Sequence, residues 1–226
     1  MARLYLTAEG YTEQRFALDV LVPHLASCNV FLHKPRLAAL TKKKGRTHRG
    51  GLGRYLAVKN DICRWLKEDR AADAYFTTMF DLYKLPSDFP GYAGASEKPD
   101  AGARVVALEA ALQKDIDDSR FMPYIQLHEF EALLLSEPRA FACQYRDYEQ
   151  QIERLEALCA QYGSPESIND GEDSAPSKRI AKEIPEYSRA KRTAGPIIAA
   201  EIGLKTIRAR CPHFNDWLTI LEGLAA

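Results

Sequence analysis

Leu4-Tyr5-Leu6-Thr7-Ala8-Glu9-Gly10-Tyr11-Thr12-Glu13 decides how this chain is read. An apolar run stops at a carboxylate, turns at a glycine and enters a segment that carries a second acid. Residues 2–8 therefore read as a short buried strand. Residues 12–26 read as a helix, with Phe16, Val20, Leu21 and Leu25 on one face and Thr12 as its N-cap. In α/β sheets ligands sit at the carboxyl ends of strands, so Glu9 stands where chemistry is usually done. A glutamate at a strand tip gains weight only when other acids arrive at the same edge.

Further along, Val30-Phe31-Leu32 is a second strand, and Leu52, Leu56, Ile62, Trp65 and Leu66 space a second helix over residues 52–66. Ala74-Tyr75-Phe76-Thr77-Thr78-Met79-Phe80 is a third strand, rich in β-compatible residues and ending at Asp81. Residues 82–100 hold Pro86, Pro90, Pro99, Gly91 and Gly94 and read as a long loop. Val105, Leu108, Leu112 and Ile116 mark a helix over 101–116, and residues 121–127 a fourth strand whose Pro123 belongs near its start or at an edge. The β-α-β-α-β-α-β order predicts an α/β fold with a mostly parallel four-stranded sheet flanked by helices. After Pro138 the pattern changes: residues 148–162 form an amphipathic helix and no convincing strand follows. The expected division is an α/β domain over residues 1–137 and a helical C-terminal extension over 138–226, packed on the core or hinged to it.

Composition is that of a globular chain, with 46% hydrophobic and 27% charged residues. No apolar run approaches the roughly 18 residues of a membrane span, and no basic-then-apolar leader is visible, so no membrane association is expected. Five scattered cysteines, never spaced CxxC, argue against a disulfide framework or a zinc site and for a reducing, cytoplasmic setting. Net charge is zero but uneven. Residues 20–60 contain no Asp or Glu and nine Lys or Arg, densest at Lys42-Lys43-Lys44-Gly45-Arg46-Thr47-His48-Arg49-Gly50-Gly51. Such a loop suits a phosphate backbone, because each neutralised phosphate releases counterions. A solvated loop is the other reading of the same residues. Lys178 and Arg179, entering a helix after a polar turn, either bind an anion or simply lie exposed.

If the sheet is parallel, Glu9 and Glu13, Asp81, and Glu129 and Glu131 all reach one edge. Two carboxylates about 4 Å apart repel by roughly 4 kcal/mol at an effective dielectric near 20. Converging acids must therefore take up protons, pair with cations or hold a divalent metal. Mg²⁺ is typically bound by a few carboxylates with water and substrate phosphate. Two such ions roughly 3.5–4 Å apart stabilise both oxygens of an in-line phosphoryl displacement. Each acid also has a plainer reading: Glu9 as an exposed loop acid, Glu13 and one of Glu129 or Glu131 as helix first-turn acids. His128 reads as a structural hydrogen-bonding histidine. The chain has no GxxxxGK[ST] loop, HExxH helix, GxSxG elbow or complete dinucleotide fingerprint.

Glu9-Gly10 after the first strand, Asp81 after the third, and the strand alternation resemble the TOPRIM domain of topoisomerases, primases and overcoming-lysogenization-defect nucleases. More narrowly, residues 121–135 (FMPYIQLHEFEALLL), Ile168-Asn169-Asp170-Gly171, Ala175-Pro176-Ser177-Lys178-Arg179 and Cys211-Pro212-His213-Phe214 resemble the bacterial domain-of-unknown-function family 4276 across almost the whole chain. The TOPRIM resemblance implies Glu9 as a catalytic or metal-linked acid, Glu13 as a second acid of the same motif, and Asp81 as the first acid of an Asp-x-Asp pair. Here the second position is Tyr83, a poor Mg²⁺ ligand, and Glu131 resembles a further acid that restores the charge. The expectation is a TOPRIM-like nuclease or phosphoryl-transfer effector using Mg²⁺ or Mn²⁺. Glu9 and Asp81 would be catalytic, Glu9, Glu13, Asp81 and Glu131 metal-binding, and Lys42, Lys43, Lys44, Arg46, Arg49, Lys178 and Arg179 would contact nucleic acid. The resemblance also implies an ATP-binding-cassette-type ATPase partner encoded nearby, in phage defence. The alternative is a non-catalytic partner or regulatory subunit of such an ATPase.

Overall fold

The computed structural model describes residues 1–38, 42–43, 46–47, 51–168 and 174–225, with 42–43 and 46–47 described by backbone only. Eight strands are present among these residues: β1 Ala2–Ala8, β2 Val30–Leu32, β3 Arg36–Leu37, β4 Lys42–Lys43, β5 Arg46–Thr47, β6 Ala74–Asp81, β7 Phe121–Met122 and β8 Ile125–Gln126. The main sheet runs β2-β1-β6-β7, with β3 pairing with β1 beyond β2 and β8 pairing with β6 beyond β7. Every pairing in it is parallel. The basic segment forms a separate antiparallel ribbon, β4-β5.

The N-terminal helix runs as α1 (Tyr11–Phe16), a π-turn (Ala17–Leu21) and α2 (Val22–Ser27). The π-turn adjoins Pro23, which has no N–H to give the carbonyl four residues earlier, so the helix widens there. Gly10, not Thr12, is the N-cap: Glu13 Oε2 accepts from Gly10 N at 2.8 Å, and Thr12 is buried inside the first turn. Next come α3 (Tyr55–Glu68), α4 (Tyr92–Ser96) and α5 (Ala101–Ile116). Residues 82–100 are thus not plain loop. They hold a 3-10 turn, Leu82–Lys84, and α4, which starts at Gly91 (φ 76°), where an added Cβ would sit 2.7 Å from Ala111 Cβ. The expected strand over 121–127 is broken at Pro123. Thr78 Oγ1 bridges the gap, donating to Tyr124 O and accepting from Tyr124 N, each at 2.9 Å.

One face of the sheet is covered by α3 and α5 through Ile62, Trp65, Val105, Leu108 and Leu112. The opposite face is covered by α1 and α2 together with the C-terminal helices: α6 (Glu131–Leu134), α7 (Glu149–Cys159), α8 (Pro176–Glu183), α9 (Tyr187–Ile202), α10 (Leu204–Arg210) and α11 (Pro212–Glu222). Leu4, Leu6 and Phe16 share one buried cluster with Ile198, Phe214 and Leu218. Trp217 stacks on Tyr124 at 4.2 Å and its Nε1 donates to Thr77 Oγ1 on β6 at 2.9 Å. The described residues of 138–225 thus complete the sheet's second hydrophobic layer. Among the described residues no helix is long and apolar enough to cross a membrane. All five cysteines are free thiols.

From β1 the chain crosses to β2 on one side, and from β6 to β7 on the other. The topological switch point therefore lies between β1 and β6, and a crevice opens beyond their carboxyl ends. Their register carries Ala8 beside Met79, so Glu9 and Asp81 leave the sheet side by side.

Candidate functional site

The crevice at the switch point is a cavity of about 280 Å³ lined by Glu9, Gly10, Tyr11, Thr12, Glu13, Gly51, Asp81, Lys84, Glu131, Lys191 and Arg192. Four acids meet here from four elements. Glu9 follows β1, Glu13 lies in the first turn of α1, Asp81 ends β6, and Glu131 opens α6. All four are buried, Glu9 and Asp81 to 2% and 1% exposure.

Each is held by a specific contact. Glu9 Oε2 accepts from Asp81 N at 2.9 Å, which ties the two strand ends together. Asp81 Oδ1 accepts from Phe130 N at 3.0 Å, anchoring the entry to α6. Glu131 Oε1 accepts from Tyr187 OH at 3.2 Å. The Lys84 ammonium sits between the two strand-tip acids, 3.4 Å from Glu9 Oε1 and 3.1 Å from Asp81 Oδ2. Lys191 Nζ stands 3.8 Å from Glu131 Oε1, and Arg192 lies over the Tyr11 ring at 5.6 Å. The Glu13 bond to Gly10 N uses Oε2, and the Glu131 bond to Tyr187 OH uses Oε1.

Crowding and burial push these carboxyls toward their neutral forms. Burial, then the Asp81 charge, raises Glu9 to about 7 against the pull of Lys84. Glu13 rises to about 8, through burial first and then through Asp81 and Glu9. Burial raises Glu131 to about 7, opposed by Lys191, and raises Asp81 as well, opposed by Lys84. Burial alone would lower Lys84, but the facing Asp81 and Glu9 carboxylates hold its proton far more tightly than usual. A divalent cation would relieve the same repulsion. The lining residues include carboxylates and neither imidazole nor thiol, a donor set suited to Mg²⁺ or Mn²⁺. The space between Glu9 and Asp81 is taken by Lys84, at 3.4 and 3.1 Å, whereas the cation beside Glu131, Lys191, stands further off at 3.8 Å.

The other expected residues are distributed as follows. Glu129 turns away, its Oε2 accepting from Ser177 N in the first turn of α8 at 3.0 Å. His128 is structural: it has φ 65°, is buried, and its Nε2 lies 2.9 Å from Glu166 O. Tyr83 stays outside the cavity lining, with its N donating to His128 O at 3.3 Å and its ring 5.9 Å from the His128 ring. Lys42, Lys43 and Arg46 lie in the β4-β5 ribbon, while Lys44 and Arg49 fall outside the described residues, as do Asn169, Asp170 and Gly171. The ribbon rejoins the described chain at Gly51, part of the cavity wall, whose N donates to Glu9 O at 3.1 Å. Lys178 and Arg179 do not line the cavity; Arg179 Nε donates to Ser174 O at 2.7 Å.

Sequence reading missed the cations of the cavity, Lys84, Lys191 and Arg192. Lys84 follows Asp81 by three residues, and the 3-10 turn between them brings both to one side. Lys191 and Arg192 reach the edge because α9 crosses α1 closely at Gly195, where an added Cβ would meet Tyr187 OH, Phe130 Cε1 and Thr12 Cγ2 at 3.2–3.4 Å. Nothing local in the sequence announces that crossing.

Residues 8–222 match the family model described as a domain of unknown function (DUF4276), and the chain belongs to that family. No curated protein and no solved structure matches the chain.

Proposed function

We propose that this DUF4276 chain is a Mg²⁺-dependent TOPRIM-like nuclease or phosphoryl-transfer effector whose active site is the acidic cavity at the β1–β6 switch point. The observation that carries the reading is the convergence of Glu9, Glu13, Asp81 and Glu131 on one cavity, all buried. In this reading Glu9, Glu13, Asp81 and Glu131 hold the metal, Mg²⁺ or Mn²⁺, which when bound supplies charge neutralisation for phosphoryl transfer. A Glu9 carboxyl left off the metal would serve instead as the proton-transfer group, since in the metal-free site it is raised to about 7 and exchanges protons readily near neutral pH. Lys191 and Arg192 receive phosphate oxygens, and the ribbon bearing Lys42, Lys43 and Arg46, with Lys44 and Arg49 in the same segment, steers the nucleic-acid backbone toward the cavity through its attachment at Gly51. Lys178 and Arg179 are left with, at most, a more distant backbone contact.

The test is cleavage of single- and double-stranded DNA and RNA with and without Mg²⁺ or Mn²⁺. Glu9→Gln and Asp81→Asn should each abolish cleavage while keeping the folded circular-dichroism spectrum. Cleavage retained in both variants would remove the acids from the reaction.

The second reading is a non-catalytic TOPRIM-like partner or regulatory subunit of an ATPase. It is favoured by the Lys84 ammonium between Glu9 and Asp81 and by Tyr83, at the sequence position of a second acid, lying outside the cavity lining. Calorimetry separates the two, because the second reading expects no Mg²⁺ or Mn²⁺ binding that depends on Glu9 and Asp81. The ATPase partnership and a role in phage defence belong to both readings and rest on the TOPRIM resemblance.

A further inference from the structure

On the far side of the N-terminal helix from the acidic cavity, a second group of side chains has the composition of a soft-metal site. His24 and Cys28 are four residues apart, so both project from one face at the end of α2. The last helix, α11, ends against them at Glu222, and His24 Nε2 lies 2.6 Å from Glu222 Oε1. The imidazole nitrogen, the Cys28 sulfur and a Glu222 carboxylate oxygen all fall within 4.8 Å of one another, and all three residues are half-buried. Zinc–ligand bonds of about 2.0–2.3 Å place ligand atoms roughly 3.2–3.8 Å apart around a tetrahedron. Opening the His24–Glu222 contact by less than about 1 Å and closing in the sulfur satisfies that geometry.

The existing contacts do not account for the thiol. Arg208 binds Glu222 and uses the rest of its fork on Asn215 Oδ1 and Thr219 Oγ1 at 2.8 and 3.0 Å. The polar neighbour of the Cys28 sulfur among the described residues is Ser27 Oγ, at 3.9 Å. Arg208 leaves the second Glu222 oxygen and the thiol unengaged, and it offsets the charge of a thiolate added beside the carboxylate.

We propose that His24, Cys28 and Glu222 bind Zn²⁺ or a similarly thiophilic divalent cation, with water completing the coordination, and that the ion clamps the last helix to the first. Binding displaces the Cys28 thiol proton to solvent; no redox step is involved. Imidazole and thiolate select such an ion over Mg²⁺, so the site is chemically separate from the all-carboxylate cavity.

The experiment uses the full chain, stripped with chelator and titrated with Co²⁺ and then Zn²⁺. The expected result is one equivalent of Co²⁺ giving a thiolate-to-metal charge-transfer band that Zn²⁺ bleaches, with a higher Tm in Zn²⁺. Cys28→Ser should lose the band and the Tm gain. His24→Gln should weaken binding by at least about 10-fold, since loss of outer-sphere partners alone costs 10- to 100-fold. Glu9→Gln should leave the thiolate-to-metal band unchanged. A missing band, or one that persists in Cys28→Ser, overturns the assignment. Should Cys28→Ser not fold, protection of the wild-type Cys28 thiol from alkylation by Zn²⁺ decides instead: protection supports the site and its absence refutes it.

Discussion

Glu13→Gln should make the protein less sensitive to alkaline pH and more stable than the wild type above pH 8. Glu13 moves from an ordinary 4.5 to about 8 in the folded protein, a preference for the neutral form that corresponds to roughly 5 kcal/mol once the unfolded chain is fully ionised. A raised carboxyl contributes stability that is complete below pH 4.5 and lost as pH rises through its folded value. Between pH 5 and 9 the wild type should therefore lose stability, and Glu9 and Glu131, both raised to about 7, add to the same slope. His213, also raised, loses its contribution over part of this window, so the difference between variant and wild type is the informative quantity. Glutamine is neutral and keeps the oxygen that accepts from Gly10 N. Removing one charge also eases ionisation of Glu9 and Asp81, so the net gain at pH 9 should be about 2–4 kcal/mol rather than the full figure. The assay is urea unfolding at pH 5.5, 7 and 9 for both proteins. Equal pH slopes, or a wild type that gains stability toward pH 9, would show that the four carboxyls do not share one desolvated site.

Two further substitutions probe the same architecture. Lys84→Met leaves Glu9 and Asp81 without the ammonium between them and should cost about 1–3 kcal/mol at pH 8, discounted from a fully buried pair because the lysine side chain is 45% exposed. The cost should shrink at pH 5, below the value of about 7 to which Glu9 is raised, and unfolding at the two pH values measures it. Gly195→Val places a branched side chain against Tyr187 OH, Phe130 and Thr12 Cγ2 at the α1–α9 crossing. Overpacking of about 1–3 kcal/mol is expected, read as a lower urea midpoint with the m-value unchanged.

The parts of the fold written in local pattern were legible. Val105, Leu108, Leu112 and Ile116 located α5 to the residue; the structure adds its N-cap, Asp100, whose side chain accepts from Ala103 N at 2.7 Å. β1 and β6 were equally plain, because strands buried on both faces read as apolar runs with little alternation. Strand-end acids followed from that and from parallel topology, so Glu9, Glu13, Asp81, Glu129 and Glu131 were placed on one edge without coordinates; of these Glu129 turns away to Ser177 N and does not line the cavity. What failed was set by geometry that side-chain type does not report. Thr12 has the chemistry of an N-cap, yet Gly10 takes the position because Glu13 folds back onto its N–H, and a Cβ at residue 10 would lie 2.9 Å from that carboxylate. The break at Pro123 was foreseeable as a weak strand start but not as a gap bridged by Thr78. Lys191 and Arg192 were out of reach of any local pattern, since they meet the acids through a contact between α9 and α1 across most of the chain.

The residues after Asp81 carry the most consequential difference. An Asp-x-Asp pair needs extended backbone, so that positions two apart face the same side. Here the chain leaves β6 directly into the Leu82–Lys84 3-10 turn, in which positions three apart superimpose. Tyr83 is thereby rotated out against His128, and Lys84 takes the place beside Asp81 that a second acid would hold in an extended segment. Substituting Asp for Tyr83 alone would then not restore an acidic pair, because the backbone would still aim residue 83 outside the cavity. The site offsets part of its own charge instead, with Lys84 on the strand-tip pair and Lys191 on Glu131. Any cation entering from solvent must either displace Lys84 from Glu9 and Asp81 or settle beside Glu13 and Glu131. The first course releases an ammonium toward an incoming phosphate; the second leaves Lys84 in place and seats the ion among the α1 and α6 acids. The Lys84→Met variant separates them by size of effect: the gain in metal affinity is large where Lys84 and the metal compete for the same oxygens, and small where only the repulsion between ammonium and ion is removed.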